Sequence, residues 1–209
     1  MWHTGGSVAP PFMDERLAAY GFARTEELEV LAFELGNGPG PRLPRLGTAA
    51  GILAGLAHDA EVFREAHRVD SGVFLKPPPS EEEISGYAGE TEELQRRQRG
   101  EPPGAGALVL RFVAYIDTER EARDGREIIA AAGAEVVGET VRLWGAGTLE
   151  GFRGRVAYRK LVVERCRVAH ALGATLALTK ANTGTSGPTL KRAGFRSVHT
   201  ERRYILTLL

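Results

Sequence analysis

Residues 107–179 constrain the fold more than any other stretch, because their hydrophobic period changes twice in a short span. Three runs rich in β-branched and aromatic residues come first, at 107–116, 128–137 and 139–148. Such residues suit a pleated, half-buried surface. Residues 117–125 form a polar turn between the first two runs. The period then becomes helical over 155–172, where Val156, Leu161, Val162, Val163, Cys166, Val168 and Ala169 are apolar and Gly173 supplies a stop. Residues 174–179 return to a buried-strand pattern. A short helix at 188–193 ends at Gly194, and 197–208 supply the last strand or strands. Strands that follow one another directly pair antiparallel, whereas a strand–helix–strand passage makes a βαβ unit. The order predicts an α/β fold with a mixed, largely antiparallel central sheet flanked by helices.

The N-terminal half reads less regularly. Asp14 is placed to cap a helix over 15–20 that Gly21 stops. Phe22 and the alternating Leu28, Val30 and Ala32 suit a strand. The glycines and prolines of 36–41 make a linker. Apolar spacing at Ile52, Leu53, Leu56, Ala57, Ala60, Val62 and Phe63 predicts a helix over 48–76, ended by the prolines at 77–79. Ser80 followed by Glu83 is a capping-box pair for a charged helix running towards Arg99. A faint internal repeat links the two ends of the chain. Offset by 173, Gly21-Phe22 falls on Gly194-Phe195, Leu17 on Leu190 and Leu35 on Leu208. Both segments read as helix, Gly-Phe, strand.

Composition excludes several classes of protein. With 209 residues, 43% hydrophobic and 26% charged, the chain can bury a sizeable core and is not wholly disordered. No run approaches the roughly 18 apolar residues of a membrane-spanning helix. Residues 1–6 lack the basic and apolar regions of a secretory signal, so the expected compartment is the cytoplasm. The single cysteine, Cys166, excludes an internal disulfide and a cysteine-cluster metal site. The five histidines show no HxH or HExxH spacing, so no metal centre is expected. The formal net charge is zero but unevenly spread: residues 1–101 hold 17 acidic and 10 basic side chains, and residues 102–209 hold 10 and 17. A basic C-terminal half favours an anionic ligand.

The stretch that carries chemistry is 148–162, from Thr148 through Arg153-Gly154-Arg155 to Val162. A strand ends, a loop with glycine and arginine follows, and a long helix begins. The first-turn amides of a helix have no internal partners and together carry about half a positive charge. Gly154 lets a ligand approach the backbone closely. Arg153, Arg155 and Arg159 add fixed charge and forked donors. The combination is a candidate anion site, although an ordinary strand–helix turn with surface arginines has the same sequence signature.

Residues 141–148, the Arg153-Gly154-Arg155 turn with its helix, the strand at 174–179 and the run from Leu190 to Gly194-Phe195 together resemble the GNAT superfamily of N-acetyltransferases. They are similar, in order and spacing, to that family's fourth strand, acyl-CoA pyrophosphate loop and helix, fifth strand and terminal Gly-Phe element. The resemblance spans about residues 105–209 and implies a GNAT-like domain over 37–209. The echo at Gly21-Phe22 is similar to tandem proteins of the family. It makes 1–36 the expected remnant of a degenerate second copy packed on the main domain.

The resemblance also implies acetyl-CoA as acyl donor and a primary amine as acceptor, the amine attacking the thioester directly. Gly147, Thr148 and Leu149 would pair with the pantetheine arm. Arg153, Gly154, Arg155, Val156, Ala157, Tyr158 and Arg159 would hold the diphosphate. Asn182, Thr183, Thr185 and Ser186 would meet the pantetheine arm and the adenosine end. Val156 and Tyr158 depart from the family loop, which has Gly and then Gly or Ala there. Leu190 stands where a tyrosine often serves as acid. Tyr204, Glu139 and Glu150 are then the candidate catalytic acid and bases, Trp144 a candidate wall of the acceptor pocket, and Cys166 core. The expected partner is an amine, on a small molecule or a peptide. No membrane partner is expected, and no nucleic acid either, because aromatics are not interleaved with the basic residues as stacking platforms. The departures keep open an alternative, a non-catalytic acyl-CoA-binding or scaffold protein of the same fold.

Overall fold

The computed structural model describes residues 2–5, 12–47, 51–102, 104, 106–117, 126–154 and 156–206. In chain order its elements are β1 (Trp2–Gly5), α1 (Met13–Ala19), β2 (Phe22–Glu34), β3 (Ile52–Leu56), α2 (Ala60–Phe74), α3 (Glu81–Gln98), β4 (Leu108–Asp117), β5 (Arg126–Val137), β6 (Thr140–Thr148), a single 3-10 turn (Glu150–Phe152), α4 (Ala157–Ala171), β7 (Leu176–Asn182), α5 (Ser186–Arg192) and β8 (Arg196–Leu206). The α/β fold with largely antiparallel strands is as the sequence predicts. The elements divide into two compact units, Glu34–Ala177 and Met1–Phe33 with Leu178–Leu209.

In the Glu34–Ala177 unit, β3, β4, β5 and β6 lie side by side, each pair antiparallel. The middle of β5 is small and buried, with Ala130, Ala131, Ala132 and Ala134 all inaccessible, so helices can approach it closely. Ala66 and Val69 of α2 pack on Val113, Ile128 and Ala131. That leaves the alternate residues, Phe112 and Ala132 among them, for the opposite face. There α4 lies across all four strands, with Leu161, Val162, Cys166 and Ala169 buried. The capping box of α3 is complete, Ser80 and Glu83 each bonding the other's backbone N–H. Tyr87 of α3 stacks on Phe63 of α2 at 4.2 Å, and its hydroxyl donates to the Ala57 carbonyl.

The helix expected over 48–76 is a strand followed by a shorter helix. Residues 52–56 pair antiparallel with 112–116, and α2 begins only at Ala60, where Asp59 accepts the Val62 N–H at 2.8 Å. The spacing of Ile52, Leu53 and Leu56 fits either period. The strand is selected by a pairing partner sixty residues away, a non-local cause that local spacing does not contain. Residues 48–50 lie outside the described residues.

In the other unit β8 pairs antiparallel with both β1 and β2. β2 also adjoins β7, where the Thr183 N–H reaches the Glu27 carbonyl at 3.5 Å. Asp14 is not the cap of α1. Phe12 takes that position without a side-chain bond, and Asp14 in the first turn accepts from Tyr204 Oη and from Arg202 Nη1 instead. The internal repeat has a structural counterpart. An offset of 173 carries Met13–Ala19 onto Ser186–Arg192, and Gly21, at φ 81°, onto Gly194, at φ 105°. Leu28 pairs across the ladder with Glu201, also 173 residues away, so β2 and β8 are related by an approximate two-fold through that pair.

Candidate functional site

Gly147 and Thr148 end β6, and Leu149 follows, its N–H donating to the Ile129 carbonyl at 2.9 Å. Only glycine fits at 147: a Cβ there would lie 2.9 Å from Val73 and 3.0 Å from the Phe74 ring, both on the last turn of α2. The backbone turns through Glu150–Phe152, and Arg153 Nε folds back to the Thr148 carbonyl at 3.4 Å. Gly154 follows at φ 75°, a conformation that costs other residues dearly. Arg155 lies outside the described residues.

The start of α4 differs from those of α2 and α3, which Asp59 and Ser80 cap. Val156 occupies the cap position, has no side-chain bond to the helix and is followed by a first turn without acidic residues. Val156 thus offers no side-chain acceptor to the amides of that turn. Val156 has φ −73° and ψ 6°, which any residue can adopt, so the β-branched side chain is accommodated without strain. Ala157 is buried, Tyr158 half-buried and Arg159 exposed. The arrangement is an uncapped helix start fed by a left-handed glycine and flanked by Arg153 and Arg159, which suits an anion.

β6 also contains a feature that the sequence reading missed. Ala131 pairs with Gly147 and Gly133 with Trp144, so Gly145 and Ala146 are both set against Ala132. This is a β-bulge, with Gly145 at φ 56°. Two glycines two residues apart in a strand were its signal. Trp144 lies flat on Gly133, whose Cβ would come within 2.4 Å of the indole. The Arg111 guanidinium sits 5.3 Å above that ring and donates to Asp70 at 2.9 Å. Arg165 of α4 is buried nearby, its charge disfavoured by burial so that its pKa falls to about 10.

The remaining candidates are scattered. Glu139 sits in the β5–β6 turn, where its carbonyl accepts from Thr175 N–H at 2.8 Å. Glu150 follows the opposite end of the same strand, so the two carboxylates stand roughly 25–30 Å apart along β6. In the other unit, Asn182 shapes its own turn. Its Oδ1 accepts from Gly184 N–H at 2.9 Å and from Thr185 Oγ1 at 3.4 Å, and its Nδ2 donates to Glu26. Thr183 is exposed in that turn and Ser186 opens α5. Tyr204 is buried, with its hydroxyl on Asp14. Cys166 is buried, and burial pushes its thiol up to about 12, which rules it out as a nucleophile near neutral pH. Among the described residues no group of His, Cys, Asp or Glu could hold a metal ion, and no helix is long and apolar enough to cross a membrane.

No protein-family model matches the chain, and no curated protein matches its sequence. Solved structures do match its fold. A GCN5-related N-acetyltransferase from Kribbella flavida covers 97% of this chain at 17% identity and a TM-score of 0.62. Another from Sphaerobacter thermophilus covers 99% at 18% identity, also at 0.62. A tandem GNAT protein from the clavulanic acid biosynthesis pathway covers 94% at 13% identity and 0.51. The chain spans 66%, 60% and 59% of those three proteins. At such identities the likeness is one of fold: the chain shares the fold of those N-acetyltransferases.

Proposed function

We propose that the protein is an N-acyltransferase that moves an acetyl group from acetyl-CoA to a primary amine. The observation that carries this reading is the uncapped start of α4, entered through Gly154 and flanked by Arg153 and Arg159 at the end of β6. The diphosphate of CoA is the anion assigned to it, over 153–159. The strand edge at Gly147, Thr148 and Leu149 is assigned to the pantetheine arm. The amine attacks the thioester carbon directly, and a backbone amide of β6 stabilises the oxygen as it gains charge. Among the three candidate groups Glu150 has the best claim as a base, because it follows the donor strand directly. Tyr204 would first have to leave Asp14, and Glu139 sits at the other end of β6.

The acceptor is a small amine or a peptide, and cytoplasmic action fits that reading. For residues 1–36 we propose the remnant of a second copy, on the strength of the paired repeat in β2 and β8. A second reading, acyl-CoA binding without turnover, is favoured by one observation. Leu190, at the position of the family's acid, is an apolar residue buried in its unit. Thiol release from acetyl-CoA with a panel of primary amines separates the two. Turnover with any amine above the amine-only rate supports the transferase, and calorimetric binding without thiol release supports the second reading.

A further inference from the structure

We propose that Arg165 is a positioning residue of the acyl-transfer site: buried beneath the β6 bulge, it orients the bulge amides and supplies positive potential where the thioester oxygen gathers charge. The proposal rests on the acyl-transfer reading above.

The bulge creates the need. Setting Gly145 and Ala146 against Ala132 takes backbone groups out of the ladder, and buried backbone groups need partners. Arg165 provides them. Its Nη1 donates to the Gly133 carbonyl at 3.0 Å and the Trp144 carbonyl at 3.4 Å, while Nε donates to Leu161 of its own helix at 3.0 Å. One guanidinium thereby ties α4 to both strands beside the bulge. The Trp144 carbonyl it holds belongs to the same peptide unit as the Gly145 N–H.

A neutral amide side chain would satisfy carbonyls with a smaller desolvation cost. The charge is the costly part, and it is uncompensated. Arg165 is 2% exposed and forms no ion pair with a carboxylate among the described residues. The charged group facing it is another cation, Arg111, with Tyr158 and Cys166 as the other neighbours. Arg111 approaches the bulge as well, its Nη1 3.9 Å from where a Cβ on Gly145 would stand. Asp70 pairs with that guanidinium at 2.9 Å and with Lys76 at 3.6 Å. Arg165, bonded to the Gly133 and Trp144 carbonyls beside the bulge, therefore adds positive potential at Gly145–Ala146.

That field has a use at one step. As the amine nitrogen bonds to the thioester carbon, the carbonyl oxygen takes up the π electron pair. When the C–S bond breaks, the oxygen returns that pair to the carbonyl, CoA leaves as the thiolate, and the thiolate takes up the proton that the nitrogen gives off. Fixed positive potential at the oxygen lowers that barrier without any contact to the substrate and without reorganisation.

The test uses acetyl-CoA carrying 13C at the thioester carbonyl. Isotope-edited infrared spectra of the bound donor are compared in the wild type, Arg165→Lys and Arg165→Met, with calorimetric Kd values for each. The wild-type carbonyl band should lie below its frequency in buffer. Arg165→Lys should keep most of that shift and Arg165→Met should lose it, with Kd within about threefold throughout. A purely structural clamp would make the Lys and Met variants alike. A wild-type band at its solution frequency, or a full shift in Arg165→Met, overturns the proposal and leaves the donor reading standing on the binding itself. No binding to the wild type overturns both. If Arg165→Met does not fold, Arg165→Lys decides: a shift kept there, with a carbonyl bond lost, supports the charge, and a shift lost contradicts it.

Discussion

Asp70 and Arg111 stand 41 residues apart in sequence and form one ion pair, 1% and 3% exposed. Removing only the carboxylate strands a guanidinium in the interior. Asp70→Asn should destabilise the protein by about 3–5 kcal/mol in urea unfolding. Asp70→Leu combined with Arg111→Met should cost much less, because the pair leaves together. Equal losses in both variants would show that the charges are not coupled. Neither partner was legible in sequence, since an Asp on a helix and an Arg on a strand carry no sign of each other. Cys166 was legible, because its apolar helix neighbours placed it in the core. The native thiol should stay inert to a disulfide reagent at neutral pH and react once the protein is unfolded, and rapid native labelling would contradict its burial.

α1 is fastened to β8 by a charge that titrates. The Tyr204 hydroxyl, and after it Arg202, hold the Asp14 carboxyl below its ordinary 3.8 against the opposing effect of desolvation. A carboxyl depressed in the folded state stabilises it above the unfolded pKa and loses that contribution as pH falls through the folded one. Below about pH 4, Tm should therefore fall less steeply in Asp14→Asn than in the wild type. Parallel acid limbs would show that Asp14 does not contribute. β2 makes a larger contribution, because with β1 it covers both edges of β8. Deleting residues 1–35 should make the protein insoluble or lower Tm by several degrees. A truncated chain as stable as the full one would make this segment dispensable. Most elements could be read from period alone, as β4, β5, β6 and α4 were. β3 could not, because Ile52, Leu53 and Leu56 suit helix and strand equally and only the ladder to β4 decides. The bulge escaped because Gly145 and Gly147 read as one glycine-rich strand end until register set two residues against Ala132.

For the molecule as a whole, fold and chemistry stand on different supports. The fold is shared with N-acetyltransferases at 17–18% identity, a level at which side chains at the site have to speak for themselves. Here they speak through the start of α4, where the strand–loop–helix passage was legible in sequence and the missing cap was not. On the proposed function, this helix start holds the diphosphate of acetyl-CoA. Calorimetric titration of acetyl-CoA into the wild type and into Arg155→Ala/Arg159→Ala tests it most directly. Each charge-assisted contact is worth about 1.5–3 kcal/mol when desolvated and less when exposed. The wild type should bind, and affinity should be at least about tenfold weaker in the double variant, with Tm unchanged. Equal affinity in the two folded proteins would contradict it.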